Sequence, residues 1–93
     1  MRYIFKEVIY IMERKGVKIY TVKIFCANCR TLLYRYRKEG PGHLIKCYKD
    51  GILKDFTKGN LRCPKCGQQF ARETIIHGRP AYKIIQGKVY VKR

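Results

Sequence analysis

The chain has little acidic charge and no tryptophan, and the first shortage limits its partners. Six Asp and Glu residues stand against 22 Lys and Arg, which gives a formal net charge of +16 over 93 residues. Heat-adapted surfaces raise Lys and Glu together to form ion-pair networks, so a one-sided excess of positive charge indicates a polyanionic partner instead. Nucleic acid is the commonest cellular polyanion, followed by anionic membrane surfaces and acidic protein segments.

The scarcity of carboxylates also weighs against catalysis. No paired carboxylates, phosphate-cradling glycine loop or Ser/His/Asp arrangement can be read from the sequence. We therefore expect a binding protein and not an enzyme. The acidic residues are scattered, and most lie in predicted turns or at strand ends: Glu7, Glu13, Glu39, Asp50, Asp55 and Glu73.

Long apolar runs are missing as well. The uncharged stretch from Val8 to Met12 is far shorter than the ~20 residues that a membrane-spanning helix needs. Charges interrupt the opening residues, Met1 to Glu7, so we read no signal peptide there. The count of five cysteines is odd, which fits a disulfide framework poorly. These features predict a reduced, cytoplasmic protein that does not enter a membrane.

Two Cys-x-x-Cys pairs are the most informative feature that is present. Each pair directs two sulfurs at one point, so two pairs supply the four corners of a tetrahedral metal site. Two disulfides, or cysteines packed in a core, are the alternative interpretation. The expected metal ligands are Cys26, Cys29, Cys63 and Cys66.

Four thiolates close the coordination shell, which favours one structural Zn²⁺ per chain with no open position for a catalytic water. A 93-residue chain has a thin core, whereas structural zinc contributes about 10–16 kcal/mol of apparent binding free energy. Rubredoxin-type iron uses the same ligands, but its turns favour a small residue after both pairs. Gly67 meets that preference and Arg30 departs from it, so zinc is favoured and the first turn is expected to be less regular.

Three further residues have metal-binding side chains. Cys47 lies in a predicted strand, where a buried, inert thiol is the ordinary interpretation and a ligand swap or redox role the alternative. His43 and His77 both lie at Gly/Pro turns, and we interpret them as exposed loop histidines or, alternatively, as substitute ligands.

The fold class predicted is a small β-rich zinc ribbon, with the two cysteine turns on β-hairpins and a β-meander inserted between them. We divide the chain into an N-terminal β segment, residues 1–25, and a zinc-ribbon domain, residues 26–93. Lys6-Glu7-Val8-Ile9 resembles a translated ribosome-binding sequence, and Met12 follows at the spacing of a start codon. Residues 1–11 are therefore interpreted as an over-extended gene start, with the natural protein beginning at Met12. Predicted strands cover Tyr3 to Met12, Val17 to Phe25, Thr31 to Lys38, His43 to Lys49, Ile52 to Phe56, Gln68 to Ile76 and Lys88 to Arg93.

Aromatic and basic residues interleave in Tyr34-Arg35-Tyr36-Arg37-Lys38, which predicts a nucleic-acid surface. Tyrosines on a sheet can stack on unpaired bases while Arg and Lys hold phosphates, so RNA or single strands are the favoured ligands. Alternatively, Tyr34 and Tyr36 form the thin core. The remaining candidates lie on the next strand: Lys46, Tyr48 and Lys49.

From Phe25 onward the chain resembles a group of small archaeal and bacterial zinc-ribbon proteins with no assigned function. The resemblance rests on residues 36–47, on residues 61–67 with the second cysteine pair, and on Arg79-Pro80-Ala81 and Gly87-Lys88-Val89. It covers about three-quarters of the chain and implies a zinc ribbon without naming a ligand. Zinc ribbons recur in transcription and translation proteins, so an alternative function is docking on an acidic protein in such an assembly.

Overall fold

The computed structural model describes residues 18–93, and the predicted strand Tyr3 to Met12 and the suggested gene-start segment lie outside them. No helix in the described part of the chain is long and apolar enough to cross a membrane. The strands are β1 (Ile19–Cys26), β2 (Leu32–Glu39), β3 (Lys46–Tyr48), β4 (Ile52–Asp55), β5 (Ala71–Ile76), β6 (Arg79–Ile84) and β7 (Val89–Lys92), with a 3-10 turn at Lys49–Gly51.

Four strands form the first sheet, in the order β4-β2-β1-β7. β1 and β2 are antiparallel, and Val22 lies opposite Tyr36 and Ile24 opposite Tyr34 on the buried face. The alternation along these strands follows from the period of two in a half-buried strand. β1 also pairs with β7. The boundary predicted between an N-terminal segment and the zinc-ribbon domain, after residue 25, falls inside β1, because this strand extends to Cys26.

The second sheet has the order β3-β6-β5, which corrects the predicted meander. β3 does not stay beside β2; it pairs with β6 from the C-terminal third of the chain. The 3-10 turn then returns the chain to β2, where β4 pairs antiparallel. The backbone at Gly51 packs directly against the ring of Tyr36. A Cβ atom there would lie 2.8 Å from that ring, so only glycine fits without a clash.

A single core joins the inner faces of the two sheets. Tyr34 is fully buried and contacts Phe70 edge-on at 5.6 Å and Tyr82 in a stacked arrangement at 6.4 Å between ring centroids. Phe70 begins the segment that leads into β5, and Tyr82 belongs to β6. Three aromatic rings from distant segments thus supply the bulk that a core without tryptophan needs.

Candidate metal centre and basic sheet face

The four predicted ligand cysteines come together in space. Their Sγ atoms all lie within 4.8 Å of one another. The Sγ atoms of Cys26 and Cys66 are 3.7 Å apart, and those of Cys29 and Cys63 are 3.4 Å apart. A tetrahedral zinc with Zn–S bonds of about 2.3 Å has sulfur–sulfur edges of about 3.8 Å. The cluster therefore has the size and the ligand type of a tetrathiolate metal site.

The two cysteine turns have the same backbone hydrogen bonds, which corrects the expectation that the first is less regular. In the first turn the N–H of Arg30 donates to the carbonyl of Cys26 at 2.8 Å, and in the second Gly67 donates to Cys63 at 2.9 Å. Arg30 has φ of 64° and Gly67 has φ of 79°. Arg30 therefore adopts the left-handed conformation that glycine takes more easily, at a cost of about 1–2 kcal/mol.

The strands position both turns. The first turn connects β1 to β2, and the N–H of Cys26 donates to the carbonyl of Thr31 at 2.8 Å. The second is closed by the same type of bond, from Cys63 to Gln68 at 2.9 Å, next to an isolated bridge between Arg62 and Gln69. Each cysteine pair is thus held by a short antiparallel ladder, which fixes the direction of its sulfurs.

Polar groups around the cluster act on the thiols. Burial raises the pKa of Cys63, but backbone N–H groups of Cys66 and Lys65 and the neighbouring thiols outweigh it and bring the pKa to about 6. Burial raises the pKa of Cys26 to about 11. The Asn28 side chain, followed by the Gln68 N–H, lowers the pKa of Cys66. A metal ion needs all four thiolates, and N–H donors aimed at sulfur stabilise that charge.

The other candidate ligands lie elsewhere. Cys47 is fully buried in β3 and is absent from the metal-ligand group found among residues 18–93. Burial raises the pKa of its thiol to about 12, which suits an inert core cysteine. His43 and His77 are both exposed and belong to no such group. His77 occupies the hairpin between β5 and β6 with φ of 51°.

The predicted nucleic-acid residues are divided between the core, the outer face of β2 and a cleft beside β2 and β3. Tyr34 and Tyr36 are buried, with 0% and 5% of their surface exposed, so the expectation that they stack on bases is corrected in favour of the core alternative. Arg35 and Arg37 are exposed on the opposite face of β2. Lys38 is buried. Three of the predicted residues lie on β3 and the 3-10 turn: Lys46, Tyr48 and Lys49. The N–H of Tyr48 donates to the hydroxyl of Tyr36 at 2.9 Å, so β3 lies close to β2 without pairing with it.

Instead, the register of the first sheet aligns cations from all four strands. Arg35 lies opposite Lys54 on one side and opposite Lys23 on the other, and Lys23 lies opposite Lys92. Directly opposed residues point to the same face of an antiparallel sheet, and each of these side chains is exposed. We call this set, Lys54, Arg35, Lys23 and Lys92, the basic row.

Aromatic side chains flank the basic row. Phe25 and Tyr90 are opposed on β1 and β7, two residues from Lys23 and Lys92, and their rings stack at 5.1 Å with an angle of 9°. At the other edge the ammonium of Lys54 lies 5.5 Å from the ring centroid of Phe56, which is 39% exposed. The same sheet face therefore presents positive charge beside aromatic surface.

No carboxylate neutralises the basic row within the described residues. The two ion pairs found there, Lys49–Glu73 and Arg79–Asp50, involve none of its members. Glu39 lies on the same face of β2 as Arg35 but four residues along, about 13 Å away, which exceeds the Debye length of about 8 Å at physiological salt. Like charges directly opposite one another destabilise a sheet, so the described residues leave the repulsion within the row uncompensated.

No family model, curated protein or solved structure matches the chain.

Proposed function

We propose that the protein is a zinc ribbon that binds nucleic acid, with RNA or single strands favoured, through the outer face of its first sheet. The basic row is the observation on which this rests: four exposed cations in register across four strands, none of them in an ion pair among the described residues. A polyanion removes the repulsion within the row and gains contacts at the same time.

The form of the face favours an extended single strand. Neighbouring strands lie about 4.8 Å apart, so the row spans about 14 Å. Half-buried or exposed rings of Phe25, Tyr90 and Phe56 lie beside it, and an aromatic face stacks on unpaired bases of any sequence. Phosphates along the row and bases over the rings fit the geometry of a strand crossing the sheet.

Zinc has a structural role in this proposal. The four cysteines leave no open coordination position, and the sulfur spacing suits one Zn²⁺ held by Cys26, Cys29, Cys63 and Cys66. Cys26 is the last residue of β1, which is the central strand that carries Lys23. The metal thus anchors the strand on which the basic row is built.

Two measurements test the proposal. Zinc-loaded protein is titrated with a single-stranded RNA oligonucleotide over a range of salt concentrations, and four neutralised phosphates predict a log–log slope of about −3. A matched pair of variants, Lys54→Gln on the row and Lys58→Gln on an exposed turn, separates the row from general charge.

Co-purification from native cells with and without nuclease identifies the class of partner. Partners that persist after nuclease treatment, together with no oligonucleotide binding at low salt, would replace this proposal with docking on an acidic protein. Intact-mass and metal analysis of the native protein supply the metal content, for which we expect about one zinc per chain, because four thiolates make one closed site.

A further inference from the structure

A cleft of about 450 Å³ opens beside β2, β3, the 3-10 turn and the first residue of β6, and no residue of the basic row lines it. Small-ligand pockets in proteins measure about 300–1,000 Å³. Four basic and two acidic side chains line the cleft, so its formal net charge is +2 with His43 neutral. These charged residues are Arg37, Lys38, Lys46, Arg79, Glu39 and Asp50.

Lys38 gives the cleft a buried positive charge. Only 8% of this residue is exposed, and it is the buried charged residue found among the described residues. Its ammonium donates to the carbonyl oxygens of Gly40 at 3.0 Å and Pro41 at 3.5 Å, and lies 5.8 Å from the ring centroid of Tyr20. Residues 18–93 place no carboxylate within 4.0 Å of it. Burying an unpaired charge is unfavourable, and the two carbonyl oxygens offset only part of the desolvation of the Lys38 ammonium. An anion bound in the cleft would offset the rest.

Arg79 gives the cleft a flat, fixed platform. Its guanidinium carbon lies 3.8 Å from the ring centroid of Tyr48, and its Nη2 donates to Oδ1 of Asp50 at 2.7 Å. Nearly half of the Arg79 side chain, 47%, remains exposed. The tyrosine ring packs against the guanidinium, and the exposed part of the side chain can be reached by a planar ligand in the cleft. Nucleobases stack on arginine planes of this kind in single-stranded RNA recognition.

We propose that this cleft binds one nucleotide, with its phosphate at the ammonium groups of Lys38 and Lys46 and its base on the guanidinium of Arg79. A single phosphate monoester carries about −1.5 to −2 charge at pH 7, which matches the net charge of the cleft. The inference deepens the proposed function and rests on it, because the nucleotide is one residue of the strand that the basic row holds.

Adenosine 5′-monophosphate is the probe, with adenosine and inorganic phosphate as controls, each titrated into the zinc-loaded full chain by NMR. We expect the monophosphate to shift the Arg79 guanidinium and backbone signals of β3 and to bind more tightly than either control. Lys38→Met should weaken monophosphate binding by about ten- to a hundredfold, since a charge-assisted hydrogen bond is lost. The same variant should unfold at an equal or higher temperature, because it removes an unpaired buried charge.

Two further variants complete the test. Lys54→Met lies on the basic row and should weaken oligonucleotide binding while leaving the monophosphate affinity unchanged. Arg79→Lys keeps the positive charge but removes the planar guanidinium on which the base would stack. It should therefore reduce the preference for adenosine monophosphate over inorganic phosphate.

The outcomes separate the two proposals. Monophosphate affinity that is unchanged in both Lys38→Met and Arg79→Lys overturns the cleft assignment. So does inorganic phosphate that binds as tightly as the nucleotide. Oligonucleotide binding without monophosphate binding overturns this inference and leaves the proposed function standing. Monophosphate binding without oligonucleotide binding overturns the proposed function and the placement of the nucleotide in a strand.

Discussion

Neutralising Lys23 should stabilise the free protein and weaken the nucleic-acid binding that we propose, and these opposite signs make Lys23→Gln the most informative perturbation. Lys23 occupies an inner position in the basic row, between Arg35 and Lys92. Its charge is exposed, and no described ion pair includes it. Glutamine keeps most of the side-chain length, so the change is mainly one of charge.

The magnitude follows from Coulomb's law. Opposed Cβ atoms lie about 5 Å apart, and the flexible charged ends separate to about 7 Å. Two unit charges at about 7 Å in water repel by about 0.6 kcal/mol, and a Debye length of about 8 Å lowers this to about 0.25 kcal/mol. With two neighbours, Lys23→Gln should raise the free energy of unfolding by about 0.5 kcal/mol at physiological salt and by about 1 kcal/mol at low salt.

Binding should change in the other direction. Each phosphate neutralised on a single strand contributes about −0.7 to the slope of log binding constant against log salt concentration. Losing one contact should therefore make this slope less steep, from about −2.8 to about −2.1. Denaturant unfolding at fixed free zinc and at two salt concentrations measures the first effect, and titration of a single-stranded RNA measures the second. Lys58→Gln, on an exposed turn, is the control and should leave both quantities nearly unchanged.

Two results would refute this reasoning. One is a Lys23→Gln protein whose stability and salt slope both equal those of the unmodified chain. The other is a Lys58→Gln control that changes both quantities as much as Lys23→Gln does, since the effect would then come from total charge and not from the register of the row.

The remaining predictions concern the metal centre and Cys47. Arg30→Gly should raise the free energy of unfolding by about 0.5–1 kcal/mol, because glycine relieves the left-handed strain but increases the entropy of the unfolded chain. Chelator-competition or denaturant experiments measure the change, and a loss of stability would contradict the argument from strain. Cys63→Ser should lose the metal and most of the near-ultraviolet circular dichroism signal. Cys47→Ala should keep one metal per chain, and its free energy of unfolding should fall by about 1–2 kcal/mol because a small cavity is left. Loss of metal from Cys47→Ala would show that the ligand set is wrong. Burial raises the pKa of the Cys47 thiol to about 12 in the folded protein, whereas a thiol in the unfolded chain has a pKa of about 8.5. Between these pH values the unfolded state binds fewer protons than the folded state. The free energy of unfolding should therefore fall as pH rises from about 9, by at most about 1.4 kcal/mol per pH unit. Cys47→Ala should show a shallower fall than the unmodified chain, and identical slopes would count against the buried thiol.

The two cysteine turns and most strands could be predicted because their determinants are local. A Cys-x-x-Cys turn brings two sulfurs together within four residues, and the alternation of apolar residues in β1 and β2 marks a buried face. The predicted strands agree with β1 to β5 and with β7 to within three residues at each end, but no strand was predicted at β6 (Arg79–Ile84). The geometry of the first cysteine turn was mispredicted, because the hydrogen bond from Arg30 to Cys26 fixes a conformation that arginine alone does not favour.

The strand order could not be predicted from local pattern. β3 has three residues, and its partner β6 lies more than 30 residues further along the chain. A pattern read over a few neighbouring residues does not indicate such a distant pairing. The predicted meander failed for this reason. The same limitation misassigned Tyr34 and Tyr36, since alternation separates two faces of a strand without saying which face a second sheet will cover.

By itself the sequence determined the excess of positive charge, the two cysteine pairs and the division of β2 into an aromatic and a basic face. Only the tertiary structure decided that the aromatic face is the core, and that Lys54, Arg35, Lys23 and Lys92 stand in one row. These four residues come from four separate segments, and long-range pairing sets their register. Composition can state how much charge a chain carries, but the hydrogen-bonded register of the sheet fixes where that charge is concentrated.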